Sequence, residues 1–169
     1  MIKTLKYLFI TLFAVAFTSC DKEEIGDTAT VNIAGEWMVT ANLADANGNI
    51  IAEDPYGLGY FQIITYNTAA NVGTEMWLND LGEFWDFTVK IPCDAANFTF
   101  GSTTPVPNAA YDDCNVTVTN GKVTIGGTVS PSGSIVDAIE FCISFSDDEP
   151  GTVYLLKGYR RTGLNGGAE

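Results

Sequence analysis

The chain has 169 residues, 46% hydrophobic and 17% charged, with 8 Lys+Arg against 21 Asp+Glu, no His and a formal net charge of -13. That is the length of one domain, too apolar for a disordered chain, and its negative field repels phosphate backbones, so nucleic acid is excluded as a partner. Without His the chain holds no Ser-His-Asp triad, no Cys-His pair and no His-ligated zinc site.

The N-terminus reads as an address. Lys3 and Lys6 precede an uncharged, mostly apolar run from Tyr7 to Phe17. The run suits the core of a signal peptide and is too short for a spanning helix, which needs ~20 apolar residues. Phe17-Thr18-Ser19-Cys20 then resembles a bacterial lipobox. The resemblance implies cleavage after residue 19, acylation of Cys20 with chains such as palmitate, and a membrane anchor stable through its several acyl chains. Residues 20–34 follow as an acidic tether. Cys20-Asp21-Lys22-Glu23-Glu24 resembles the export signals of Bacteroidota surface lipoproteins, which implies the outer membrane and surface exposure; a generic solvated tether is the other reading of that charge run. Asp27-Thr28-Ala29 resembles the O-glycosylation motif of the same bacteria, making Thr28 a candidate acceptor.

From Gly35 onward, strand signals recur between Gly, Asn, Asp and Pro breakers. Strands are expected over Glu36 to Ala44, Gly59 to Asn67, Glu75 to Asn79, Trp85 to Ile91 and Asn97 to Phe100. Trp85, Phe87, Val89 and Ile91 share one face. Pro105 to Pro107 reads as a breaker. Asn115 to Thr119 and Lys122 to Ile125 flank Asn120-Gly121, a strong hairpin-turn signal, which pairs Val118 with Val123. Ile139, Phe141, Ile143 and Phe145 line one face of the next strand, and Thr152 to Arg161 forms the last. Asp45 to Asn49 reads as a hairpin turn rather than a calcium loop, because its glycine is misplaced and no closing Glu follows. Eight or nine closely spaced strands form a sandwich or a barrel.

Gly35-Glu36-Trp37 opens the first strand, and Tyr159-Arg160-Arg161-Thr162-Gly163 closes the last. This pairing resembles the calycin superfamily, which includes the lipocalins. The resemblance implies an antiparallel up-and-down barrel whose end is closed by Trp37, with Arg160 or Arg161 across the ring and Gly35 leaving room. Guanidinium over indole contributes ~0.5–2 kcal/mol. Tyr66-Asn67-Thr68-Ala69-Ala70, Glu75-Met76-Trp77-Leu78-Asn79-Asp80, Trp85-Asp86-Phe87-Thr88-Val89-Lys90 and the ending Gly158 to Gly163 are together similar to the Bacteroidota lipoproteins grouped as "lipid-binding putative hydrolases". The implied barrel domain runs over 35–164, with 165–169 as a tail.

An eight-stranded barrel is either filled by its own side chains or holds one small ligand. Phe61, Ile63, Trp85, Phe87, Val89, Phe141, Ile143 and Tyr159 are the candidate walls of a pocket for a lipid or other small hydrophobic ligand. Such a binding module, acting without catalysis, is the leading expectation. A carboxylate-dependent hydrolase is the alternative, with Asp80, Glu83 and Asp86 among Trp77, Phe84 and Trp85. No nucleophile elbow accompanies them. A non-catalytic subunit of a surface nutrient-uptake complex is the third reading. No cofactor and no metal centre is implied. Once Cys20 is acylated, Cys93, Cys114 and Cys142 remain; either Cys93 and Cys114 form a disulfide closing the segment between two strands, or all three are buried thiols.

Overall fold

A computed structural model describes residues 26–162. The expected signal peptide at 1–19, Cys20 and the tail at 165–169 lie outside the described residues. Nine strands follow in chain order: β1 (Gly35–Ala44), β2 (Ile50–Ala52), β3 (Phe61–Asn67), β4 (Glu75–Asn79), β5 (Thr88–Asp94), β6 (Thr99–Pro107), β7 (Asn115–Val129), β8 (Ile135–Phe145) and β9 (Val153–Arg160). No helix occurs among the described residues. The sheet order is β2-β1-β3-β4-β5-β6-β7-β8-β9, and β9 returns to pair with β1. The architecture is therefore a closed, antiparallel, eight-stranded barrel of calycin-like form, with β2 an extra strand at the end of β1. Closure pairs the edges that an open sheet would expose.

Alternation sets which side chains enter the tube. Trp37, Val39 and Ala41 of β1 face in, as do Phe61 and Ile63 of β3, Met76 and Leu78 of β4, and Ile139, Phe141 and Ile143 of β8; all belong to one buried core. The Asp45 turn forms as a hairpin turn between β1 and β2. Its carboxylate accepts the backbone N–H groups of Asn47 (2.8 Å) and Asn49 (2.9 Å).

Three expectations need correction. Asn120-Gly121 is not a hairpin turn, because β7 runs through it as one strand. Thr119 pairs with Cys142 and Lys122 with Glu140, so the partner strand advances two residues while β7 advances three. That extra residue is a bulge, and Asn120 takes its positive φ of 56° there. The bulge rephases the alternation, so Val118 and Val123, five positions apart, both bury inward. The apolar face of β8 offers a continuous partner to both halves, which outweighs the local turn signal. Second, Pro105 and Pro107 lie inside β6. The register shifts between Ser102 and Val106, so the ladder requires no donor from Pro105. Third, β5 begins at Thr88, leaving Trp85 in the preceding loop.

The first and last strands meet at one end of the tube. Pairing runs from Trp37 opposite Arg160 to Ala44 opposite Val153. The Arg160 guanidinium carbon sits 4.3 Å from the centroid of the buried Trp37 ring. Arg160 also donates to Asp137 Oδ2 of β8 (2.9 Å), to Ala34 O (2.6 Å) and to Asn32 O (3.2 Å). Trp37 Nε1 donates to Thr65 Oγ1 (2.8 Å), which donates to Ile33 O (2.7 Å). The entering segment is thereby fixed over the same end. A side chain at Gly35 would meet the Arg160 guanidinium, and one at Gly158 would collide with the Met38 carbonyl across the β1–β9 seam. Arg161 instead forms a surface pair with Glu36 (3.0 Å).

These contacts separate the two arginines. Arg160→Ala loses the ring contact and removes the Arg160 donor from Asp137 Oδ2 and from two carbonyls, so it should cost about 2–3 kcal/mol. Arg161→Ala should cost less than about 0.5 kcal/mol. Urea unfolding of both variants checks this; equal midpoints would place no special weight on Arg160.

Candidate functional site

The barrel interior is occupied by its own side chains. Ile63, Phe87, Val89, Phe141 and Ile143 each have 0% accessible surface and Phe61 has 5%. No water-sized void therefore adjoins the side chains at 0%, and these candidate walls fill the core in this conformation. Tyr159 lies elsewhere: it pairs with Met38, out of phase with inward-facing Trp37, and its ring meets Tyr60 edge-on at 5.4 Å. Tyr60, Val129, Lys157 and Tyr159 line an open groove of about 270 Å³ on the outside of the sheet.

The end opposite Trp37 is built from rings on loops packed against rings at the strand ends. Phe84, half-buried, is the hub. Its centroid lies 5.1 Å from Tyr154, 5.7 Å from both Phe61 and Trp85, 6.0 Å from Phe145 and 6.3 Å from Tyr56. Trp85 stacks on Phe145 at 4.7 Å with ring planes 10° apart. Phe84 thus covers the top of the core without belonging to a strand.

Asp80 holds that loop in shape. Its fully buried carboxylate accepts five backbone N–H groups: Gly82 (3.1 Å), Phe84 (3.1 Å), Trp85 (2.8 Å), Asp86 (2.9 Å) and Phe87 (2.8 Å). Leu81 and Asp86 accept positive φ values of 57° and 54° to direct their neighbours at this acceptor. Such charge-assisted bonds are the strong kind. They also occupy both oxygens, so Asp80 is a loop organiser and not a free acid or base. Glu83 and Asp86 are exposed on the outside of the loop. Asp54 repeats the device on a smaller scale, accepting from Leu58 N and Gly59 N at 2.9 Å each.

A second network ties the rings to the adjoining loops. Asp147 accepts from Tyr111 (2.7 Å), Trp85 Nε1 (3.2 Å) and Cys114 Sγ (3.2 Å). The Tyr111 bond above all, followed by the Cys114 and Trp85 bonds, holds its carboxyl below the usual 3.8. Tyr154 donates to Asp148 (2.9 Å) and shares a 2.7 Å bond with Tyr56. Burial, reinforced by Tyr56 and Asp148, pushes the Tyr154 phenol well above its ordinary range. Burial likewise raises the Cys93, Cys114 and Cys142 thiols, keeping them protonated.

Of the two alternatives open for Cys93 and Cys114, the structure has free thiols at both. The topology separates them. Cys93 pairs with Phe100 toward the Trp37 end. Cys114 sits beside Asn108, which bonds Thr88 at the other end of β5. Thr28 is exposed in the entering turn. Among the described residues no group of three or more His, Cys, Asp or Glu is placed to hold a metal ion. Phe84, Phe145 and Tyr154 were not among the expected ligand residues. The signal that could find Phe84 is a run of aromatics beside an Asn-Asp-Leu-Gly turn at residues 79–82.

A protein-family model described as "Lipid-binding putative hydrolase" matches residues 22–165. Comparison with curated proteins finds no match.

Two outcomes follow from the two networks. Asp80→Ala strands five backbone donors and should lower stability by about 3 kcal/mol, against under about 0.5 kcal/mol for Glu83→Ala; chemical denaturation followed by Trp fluorescence measures both. Because the folded carboxyl of Asp147 is depressed, its contribution is full above pH 3.8 and lost as pH falls through the lower folded value. Asp147→Asn should flatten that acid limb in a stability–pH series, and an unchanged limb would assign acid sensitivity to other carboxylates.

Proposed function

The chain belongs to the lipid-binding putative hydrolase family, and from that premise we propose a membrane-anchored lipoprotein that binds a lipid or other small apolar molecule at the aromatic end of its barrel without transforming it. The observation that carries this reading is Phe84. It is a large apolar side chain seated in the mouth of the barrel by a loop rather than by the sheet. The rest of the interior is packed, so an apolar ligand gains a place by taking that of Phe84 among Phe61, Phe145 and Tyr154. Exposed Tyr56, Leu58 and Leu81 surround the same mouth as apolar contacts for a longer molecule.

The absence of turnover is supported by the groups present there. Asp80 is spent on its own loop, the Cys114 thiol and the Tyr154 phenol are held protonated, and the sequence has no His to act as a base. Anchoring is supported by the lipobox-like Phe17-Thr18-Ser19-Cys20. The acidic residues after Cys20 favour a place on the outer membrane, with the barrel outside the bilayer. Small apolar molecules and the membrane are then the partners.

Titration with the uncharged probe N-phenyl-1-naphthylamine tests the site. The half-buried Phe84 ring is worth about 1.4 kcal/mol, so Phe84→Ala should bind the probe on the order of tenfold more tightly than the unsubstituted protein. Equal affinities would remove Phe84 from the site. Native mass spectrometry after incubation with bacterial lipid extract should show a bound lipid released with unchanged mass. A hydrolysed product would overturn the non-enzymatic part of the reading, and no bound species at all would overturn lipid binding.

A further inference from the structure

The two ends of the barrel differ in charge and in where the chain enters. At the aromatic end, the connections over residues 45–49, 53–60, 80–87, 108–114 and 146–152 contain eleven Asp and Glu and no Lys or Arg. Every Lys and Arg among the described residues lies on a strand or directly after β9, from mid-barrel to the Trp37 end. Three of them are neutralised in pairs: Lys90 with Glu75, Arg160 with Asp137 and Arg161 with Glu36. The acidity of the molecule is therefore concentrated at one pole.

The other pole carries exposed aliphatic side chains. Ile125, Val129 and Ile135, on the β7–β8 hairpin, are 59%, 60% and 77% exposed. Val129 pairs with Ile135 across that hairpin. Val31 and Val72, on the entering turn and the β3–β4 connection, are also exposed there, and Asn71 bonds Ala29 between the two segments (2.8 Å). The entering segment is fixed at this pole by Arg160. Cys20 precedes Gly26 by six residues, and six residues span at most about 20 Å.

We propose that the Trp37 end of the barrel rests on the lipid surface, with Ile125, Val129 and Ile135 at the bilayer interface and the acidic aromatic end turned to the aqueous side. This rests on the anchoring proposed above. A short tether holds the pole from which it emerges against the membrane. At that pole Glu36, Glu75 and Asp137 are paired while Asp27 and Asp94 are not, and its aliphatic groups are exposed, so it brings less uncompensated negative charge to anionic head groups than the aromatic end would. The tilted strands put the acidic loops roughly 18 Å further out, beyond the Debye length of about 8 Å at physiological salt. The ligand then reaches the Phe84 mouth from the aqueous side and not directly from the leaflet that holds the anchor.

The full-length acylated protein, reconstituted in vesicles of phosphatidylethanolamine and phosphatidylglycerol containing brominated lipid, tests this. An environment-sensitive dye is placed on Ile135→Cys in one sample and on Glu83→Cys in another, with the unsubstituted protein as labelling background. The dye at Ile135 should shift to the blue and be quenched at least twofold more strongly than the dye at Glu83. Equal quenching, or stronger quenching at Glu83, in protein that floats with the vesicles would overturn the orientation and leave the anchor standing. Protein that does not float would overturn the anchor and the orientation with it. A blue shift at Ile135 that rises with protein density and is insensitive to brominated lipid would assign the hairpin to a second copy of the chain, contradicting the lipid contact.

Discussion

One guanidinium joins the parts of this molecule that are furthest apart in sequence. Arg160, near the end of the chain, lies over Trp37, bonds Asp137 of β8 and takes the carbonyls of Asn32 and Ala34 from the entering segment. Arginine suits the position because its planar fork stacks on an indole while donating in its own plane; a lysine could not do both. The absence of side chains at Gly35 and Gly158 is the steric condition for this arrangement: one makes room for the guanidinium, the other lets β1 and β9 approach. With these contacts the sheet closes and one end of the tube is sealed by bonded groups.

The opposite end follows a different principle. There the cover is a loop, fixed by five backbone donors converging on one buried carboxylate, and it lays the rings of Phe84 and Trp85 on other rings. Phe84 is held there by ring contacts and not by the sheet ladder, so its ring can be displaced without breaking a strand pairing, whereas strands at a paired seam open only with the whole fold. Stability and adaptability are thus assigned to separate poles. The charge distribution runs along the same axis, with the acids gathered on the loops of the adaptable pole.

Much of the barrel was legible because its strands are half-buried and alternate strictly. The faces formed by Ile139, Phe141, Ile143 and Phe145, and by Phe87, Val89 and Ile91, could be read directly. Trp37 with an Arg in the last strand marked the seal, although either Arg160 or Arg161 satisfied the pattern; which one faces in depends on phase against β1. The errors fall where a local signal met a longer-range one. Asn120-Gly121 favours positive φ in a turn and in a bulge alike, and the choice was made by β8, a distant partner. Trp85 and Tyr159 continue aromatic runs that look like interior faces. A loop that bonds Asp80 removes the first, and strand phase turns the second outward. The role of Asp80 was illegible, since a carboxylate that gathers its own loop and one aimed at a substrate have the same neighbours in sequence.

Hydrogen–deuterium exchange with and without bound lipid tests the central claim most directly, because it reports every segment at once. If the ligand takes the place of Phe84, exchange changes at residues 53–60, 80–87 and 146–154 while Gly35, Trp37 and Arg160 keep theirs. Protection confined to the Trp37 end, or to the outer groove at Thr40, Tyr60 and Lys157, would contradict the account.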